Sequence, residues 1–157
     1  MILKKKIKIN KKLSAYFINQ YYKPDIKYSF TRYLNKFATS SIDLSDGLIS
    51  DLEKLTNKQE NSYQLFFDKI PVSKNLNLIL KLKNLLKKKL ISKGDDYQIL
   101  FTANSKHRNL ITKISSFKRL KITRIGRILN NRHKSSIIDK NDRQIKMNDK
   151  GYIHTFD

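Results

Sequence analysis

The residues able to do chemistry in this chain are its carboxylates, and they are conspicuous because they are scarce. Against 34 Lys and Arg there are 13 Asp and Glu, so a cluster of acids demands a reason. One cluster is Asp43, Asp46 and Asp51 around Ser45, and a second is the adjacent pair Asp95-Asp96. Gly47 and Gly94 lie inside these clusters, and glycine marks positions where the backbone turns sharply or approaches a ligand closely. Carboxylate and hydroxyl oxygens are hard donors of the kind that Mg²⁺ accepts together with water and phosphate. With no cysteine, thiolate sites and disulfides are excluded, which suits a cytoplasmic protein. The histidines, His107, His133 and His154, show no metal-ligand spacing.

Each cluster also has a plain structural reading. The segment Ile42-Asp43-Leu44-Ser45-Asp46-Gly47-Leu48 passes from strand to helix, which puts Ser45 or Asp46 at the N-cap. A capping oxygen there stabilises the helix by about 0.5–2 kcal/mol relative to Ala. Backbone N–H groups at the same helix start attract phosphate oxygens. Asp43, at the strand's end beside Ile42, is expected to be partly buried, and a buried carboxylate needs a cation or donors. An ordinary turn accounts for Asp95-Asp96 as well as a binding site does. From the residues alone, capping and metal or phosphate binding both stand.

Alternating strands and helices must position these acids. Leu13, Phe17 and Tyr21 give one helix face over 11–22 that stops near Pro24, and Phe30, Tyr33, Leu34 and Phe37 another over 29–37. A short strand is expected from Thr39 to Leu44, followed by a helix over 46–56 with Leu48, Leu52 and Leu55 on one face. Tyr63 to Val72 reads as a strand, and 74–90 as a helix with Leu78, Leu82, Leu85 and Leu86 toward the core and its lysines in solvent. Tyr97 to Ala103 is a strand, and 106–117 a helix with Leu110, Ile111, Ile114 and Phe117 inward. Strands at 121–129 and 135–139 complete the pattern. Such interleaving predicts an α/β sandwich, a mixed sheet with packed helices.

Composition narrows the function classes. An apolar fraction of 39% with eight Phe and eight Tyr suffices for a core, and no apolar run approaches the ~20 residues of a membrane span. A net charge of +21 suggests nucleic acid or an anionic surface. The lysines, however, are spread along the chain among abundant Ile and Asn, as low-GC coding produces. Nothing resembles a recognition helix, a zinc finger or an aromatic RNA-binding strand, so nucleic acid is not the expected partner.

The motifs resemble, in order, those of thiamine-monophosphate kinases. Ser41-Ile42-Asp43-Leu44-Ser45-Asp46-Gly47-Leu48 with Asp51-Leu52 resembles I-D-x-S-D-G-L-x-x-D-L, and Ile70-Pro71-Val72-Ser73 resembles L-P-L-S. Lys93-Gly94-Asp95-Asp96-Tyr97-Gln98-Ile99-Leu100-Phe101-Thr102 resembles G-G-E-D-Y-E-L-L-F-T, departing at Lys93, Asp95 and Gln98. Ile122-Thr123-Arg124-Ile125-Gly126-Arg127-Ile128 is similar to I-T-x-I-G-R-I, Gly151-Tyr152-Ile153-His154 to the closing G-Y/W-x-H, and Tyr22-Lys23-Pro24 to an R-P-x-P segment.

This resemblance implies the C-terminal part of a kinase that uses ATP and Mg²⁺ to convert thiamine monophosphate to thiamine diphosphate. It implies the fold of the C-terminal domain of aminoimidazole ribonucleotide synthetase. Residues 1–24 would be a basic segment and leading helix, and 25–157 the C-terminal domain, with no counterpart of the N-terminal ATP-binding domain. Carried over by position, Asp43 and Asp46 would be magnesium ligands, Ser45 would touch ATP, and Asp95 and Tyr152 would contact thiamine monophosphate; no residue takes a bond-making role. A separate N-terminal kinase half is the implied partner, with a homodimer as one arrangement of the completed enzyme. A related fold member with other ATP-dependent chemistry and a basic nucleic-acid-binding module are the alternatives.

Overall fold

The computed structural model describes residues 8–57, 60–82, 87–94 and 97–147. Helix α1 spans Lys11–Tyr22 and begins where the Asn10 side chain accepts the Leu13 N–H at 2.9 Å. Pro24 follows its end. Only Leu13 of its apolar face is buried, and Tyr21 is exposed. Helix α2 (Tyr28–Leu34) leads into strand β1 (Ala38–Asp43), and helix α3 (Leu48–Asn57) into strand β2 (Ser62–Phe66). Helices α4 (Lys74–Leu82) and α5 (Lys87–Ile91) follow, then strand β3 (Ile99–Ala103), helix α6 (Arg108–Phe117), and strands β4 (Gly126–Leu129) and β5 (Ser136–Ile138).

The strands form two sheets. β1 and β3 pair antiparallel with Ile42 opposite Leu100 and Asp43 opposite Ile99. The second sheet has the order β4-β2-β5, antiparallel between β2 and β4 and parallel between β2 and β5. Helix α3 joins them. Its Leu48, Ile49, Leu52 and Leu55 form one core with Tyr63 and Leu65 of β2, Leu100 of β3, and Ile70, Ile91 and Ile137. A second core gathers Phe30 and Phe37 around Ile114 of α6, with Phe101 completing an aromatic group at centroid distances of 5.3–6.2 Å. The expected mixed α/β architecture is what the chain adopts.

Several local expectations need correction. The strand expected over 63–72 ends at Phe66, and Phe67–Lys69 form a 3₁₀ turn. The Lys87 ammonium donates to the carbonyls of Phe67 (2.9 Å) and Ile70 (2.6 Å), and so takes up acceptors that a continued ladder would have used. Desolvation there holds Lys87 below the usual lysine range. In α4 the buried residue is Ile79, whereas Leu78 and Leu82 are exposed, because Leu76, Ile79 and Leu80 make the denser stripe at i, i+3, i+4. Leu85 and Leu86 lie outside the described residues. Phe117, the last residue of α6, is 75% exposed rather than inward. Among residues 121–129 only 126–129 form a strand.

Tyr63 is an aromatic whose environment bears on stability at high pH. It is buried beneath α3, and its hydroxyl donates to Glu53 at 3.5 Å. Burial first, then the Glu53 charge, push the phenol up to about 12. A folded value above the ordinary ~10 means that this contribution is intact below pH ~10 and is lost as pH rises through about 12. Tyr63→Phe should remove that loss. Unfolding free energies of the two proteins should converge as pH rises from 9 toward 12, by up to about 2–3 kcal/mol.

Candidate active site

The acid-rich turn lies between β1 and α3. Along β1 the side chains alternate, with Ala38, Ser40 and Ile42 turned inward and Thr39, Ser41 and Asp43 outward. Asp43 is therefore exposed and not partly buried, and among the described residues no Lys or Arg pairs with it. Pairing with the β3 segment continues one step beyond Asp43. The Leu44 N–H donates to the Gln98 carbonyl at 2.8 Å, and the Tyr97 N–H to the Leu44 carbonyl at 3.0 Å.

The turn is organised by Asp51, a residue to which the sequence reading gave no role. Its carboxylate has no solvent exposure. Oδ2 accepts three consecutive backbone N–H groups, from Ser45 (2.9 Å), Asp46 (3.0 Å) and Gly47 (3.2 Å). Oδ1 accepts the Lys54 ammonium at 2.9 Å, one helical step away. Lys54 also makes an ion pair with Asp46. The hydrogen bonds to Asp46 and then Asp51 hold the Lys54 ammonium above the usual lysine range.

Two sequence expectations change as a result. Helix α3 begins at Leu48, so Gly47 rather than Ser45 or Asp46 stands directly before it, and Asp51, reaching back from the first turn, accepts the N–H groups of the turn. A negative side chain is favoured there by the helix dipole, and an acid in the first turn was the signal that could have identified it. Three consecutive N–H groups make a concavity suited to an anion, but here the protein's own carboxylate fills it. The turn therefore does not offer its backbone to phosphate. What it presents outward is oxygen: the exposed Asp43 carboxylate, the exposed Ser45, and the Asp46 carboxylate, which already holds a cationic group.

The second motif packs directly on the first. A Cβ at Gly94 would stand 1.8 Å from the Ser45 carbonyl oxygen, and one at Gly47 2.6 Å from the Ser92 carbonyl oxygen. Residues 92–94 and 45–47 thus touch backbone to backbone, which only glycine permits. Asp95 and Tyr152 lie outside the described residues, as does Asp96. Among the described residues no group of three or more His, Cys, Asp or Glu is arranged to hold a metal ion. Mg²⁺ commonly takes only one or two carboxylates and completes its octahedron with water and phosphate. Asp43 and Asp46 supply two oxygen donors of the type that such an ion takes, and Asp46 already holds the Lys54 ammonium. Among the described residues no helix is long and apolar enough to cross a membrane.

Known proteins resemble the chain as a whole. No protein-family model matches the chain. The thiamine-monophosphate kinase of Buchnera aphidicola subsp. Acyrthosiphon pisum (strain APS) is 32% identical over 154 residues, covering 98% of this chain and 47% of that kinase. The thiamine-monophosphate kinase of Bacillus subtilis (strain 168) is 26% identical over 141 residues, covering 88% and 42%. Of solved structures, AaThiL complexed with AMPPCP and TMP aligns with a TM-score of 0.74 at 22% identity, over 98% of this chain and 45% of that one. Thiamine-monophosphate kinase from Stenotrophomonas maltophilia K279a gives 0.72 at 23% identity, over 87% and 42%. These structures share the fold, which is aminoimidazole ribonucleotide synthetase-like. The chain spans about half the length of the curated relatives it matches. Over 98% of its own length, this chain is similar to a stretch of thiamine-monophosphate kinase that makes up about half of that enzyme.

Proposed function

We propose that the chain supplies the C-terminal half of an ATP- and Mg²⁺-dependent kinase acting on thiamine monophosphate in the cytoplasm, completed by an N-terminal half with the nucleotide-binding domain. The observation that carries this reading is the turn itself. Its N–H groups are consumed by Asp51, so it faces its ligand with carboxylates and is suited to a cation that bridges to phosphate rather than to phosphate directly. A relative of the same fold, AaThiL, is complexed with AMPPCP, an ATP analogue, and TMP, which supports ATP and thiamine monophosphate as the substrates.

In this reading Asp43 and Asp46 hold magnesium, Ser45 presents its hydroxyl to ATP, and Asp95 and Tyr152 contact thiamine monophosphate. When bound, magnesium would neutralise phosphate oxygens, the main requirement of phosphoryl transfer beyond positioning. The chain's own contribution is to set Asp43 at the end of β1 and Asp46 in the turn that follows, the turn being braced by Asp51 and by the backbone of residues 92–94.

The test is reconstitution: the chain is mixed with an N-terminal half from a relative and assayed for thiamine diphosphate formation. Turnover should require both parts. Asp43→Asn keeps the size of the side chain and removes its charge, and should lower turnover by roughly 100-fold or more with the fold unchanged. Equal turnover of Asp43→Asn and parent at limiting magnesium would remove Asp43 from the metal site.

A further inference from the structure

We propose that Lys54 is a resident counter-cation of the acid turn, which competes with a divalent ion for Asp46 and so sets how readily the site takes metal. The inference rests on the metal reading of Asp43 and Asp46 above, and deepens it by naming a control on that site. The Lys54 ammonium bridges two carboxylates, Asp51 at 2.9 Å and Asp46. The two ends of this bridge differ. Asp51 is wholly buried and fastened by three backbone N–H groups, so it cannot turn toward a ligand. Asp46 is partly exposed at the mouth of the turn. Lys54 is therefore moored by Asp51 within reach of Asp46, and Asp46 is the carboxylate able to exchange one cation for another.

Two positive groups cannot share one carboxylate oxygen without repulsion, which at a partly exposed carboxylate is moderate rather than prohibitive. An incoming divalent ion must displace the ammonium from Asp46 or bind beside it at reduced affinity. While the metal is away, the same ammonium keeps Asp46 in place, so the turn need not reorganise on loading. Lys54 acts through Asp46 and is a positioning residue.

The experiment titrates the full chain with Mn²⁺ alone, reading the free aquo ion by electron paramagnetic resonance at constant ionic strength. Lys54→Met should bind Mn²⁺ at least about fivefold more tightly than the parent. Lys54→Gln should do the same, which guards against a packing effect of one variant, and Lys54→Arg should restore the parent's affinity. The gain should vanish when Asp46→Asn is added to Lys54→Met. Equal affinities for parent, Lys54→Met and Lys54→Gln overturn the proposal. If Asp46→Asn alone still weakens binding in that case, the metal reading stands without it. If Asp46→Asn has no effect either, both fall together.

Discussion

Asp51→Ala should destabilise the fold by about 3–5 kcal/mol, the range for removing one partner from a buried, charged and fully hydrogen-bonded arrangement. The substitution strips acceptors from the N–H groups of Ser45, Asp46 and Gly47 at once, and these have no helical partner of their own. It also leaves Lys54 with Asp46 alone. Against a typical total of about 5–15 kcal/mol, such a loss puts the chain near its margin. Asp51→Asn retains an oxygen for the three donors but turns an amide toward the Lys54 ammonium, so its loss should be about half as large. Asp43→Ala, which removes an exposed carboxylate, should stay within about 0.5 kcal/mol of the parent. Urea midpoints with unchanged slopes measure all three. An Asp51→Ala loss no greater than that of Asp43→Ala would mean that the buried carboxylate does not organise the turn.

Gly94→Ala should be comparably damaging, by about 3 kcal/mol or more, although it adds a single methyl group. The new carbon would lie 1.8 Å from the Ser45 carbonyl oxygen, 2.8 Å from its carbon and 3.1 Å from the Asp46 Cα. All of these are backbone atoms, so no rotamer change relieves the clash, and residues 92–94 must separate from 45–47. Gly47→Ala meets the Ser92 carbonyl at 2.6 Å and must also hold φ at +118°, a conformation costly for any residue with a Cβ. Elsewhere a Gly→Ala change stabilises by about 0.4–1 kcal/mol through the unfolded chain, so the measured losses are net of that gain. Lys113→Ala, on the exposed face of α6, serves as the reference and should change stability by less than about 0.5 kcal/mol. Thermal and urea unfolding, with the amide shifts of Ser45–Gly47, separate a local parting of the two motifs from global loss. Stable variants with unchanged shifts at those amides would show that the motifs do not touch through these glycines.

By itself the sequence determined the alternation of strands and helices, because hydrophobic period is a local property that each segment carries with it. Helices α1, α3 and α6 and strands β1, β3 and β5 lie close to where their patterns put them. It also identified the acid turn and the Gly94 segment as belonging together, through their likeness to one family's ordered motifs. Tertiary structure decided what each acid does. Asp43, Asp46 and Asp51 are chemically alike and lie within nine positions of one another. Yet strand pleat turns Asp43 outward, the helix start draws Asp51 wholly inside, and Lys54 engages Asp46. Desolvation and donor geometry make that distinction, and both arise only when the turn closes against α3 and residues 92–94. The end of β2 was likewise settled from a distance, by an ammonium at Lys87 that no pattern within 63–72 could announce. A hydrogen bond between residues 17 or 20 positions apart lies outside any local period, so only the folded chain could place it.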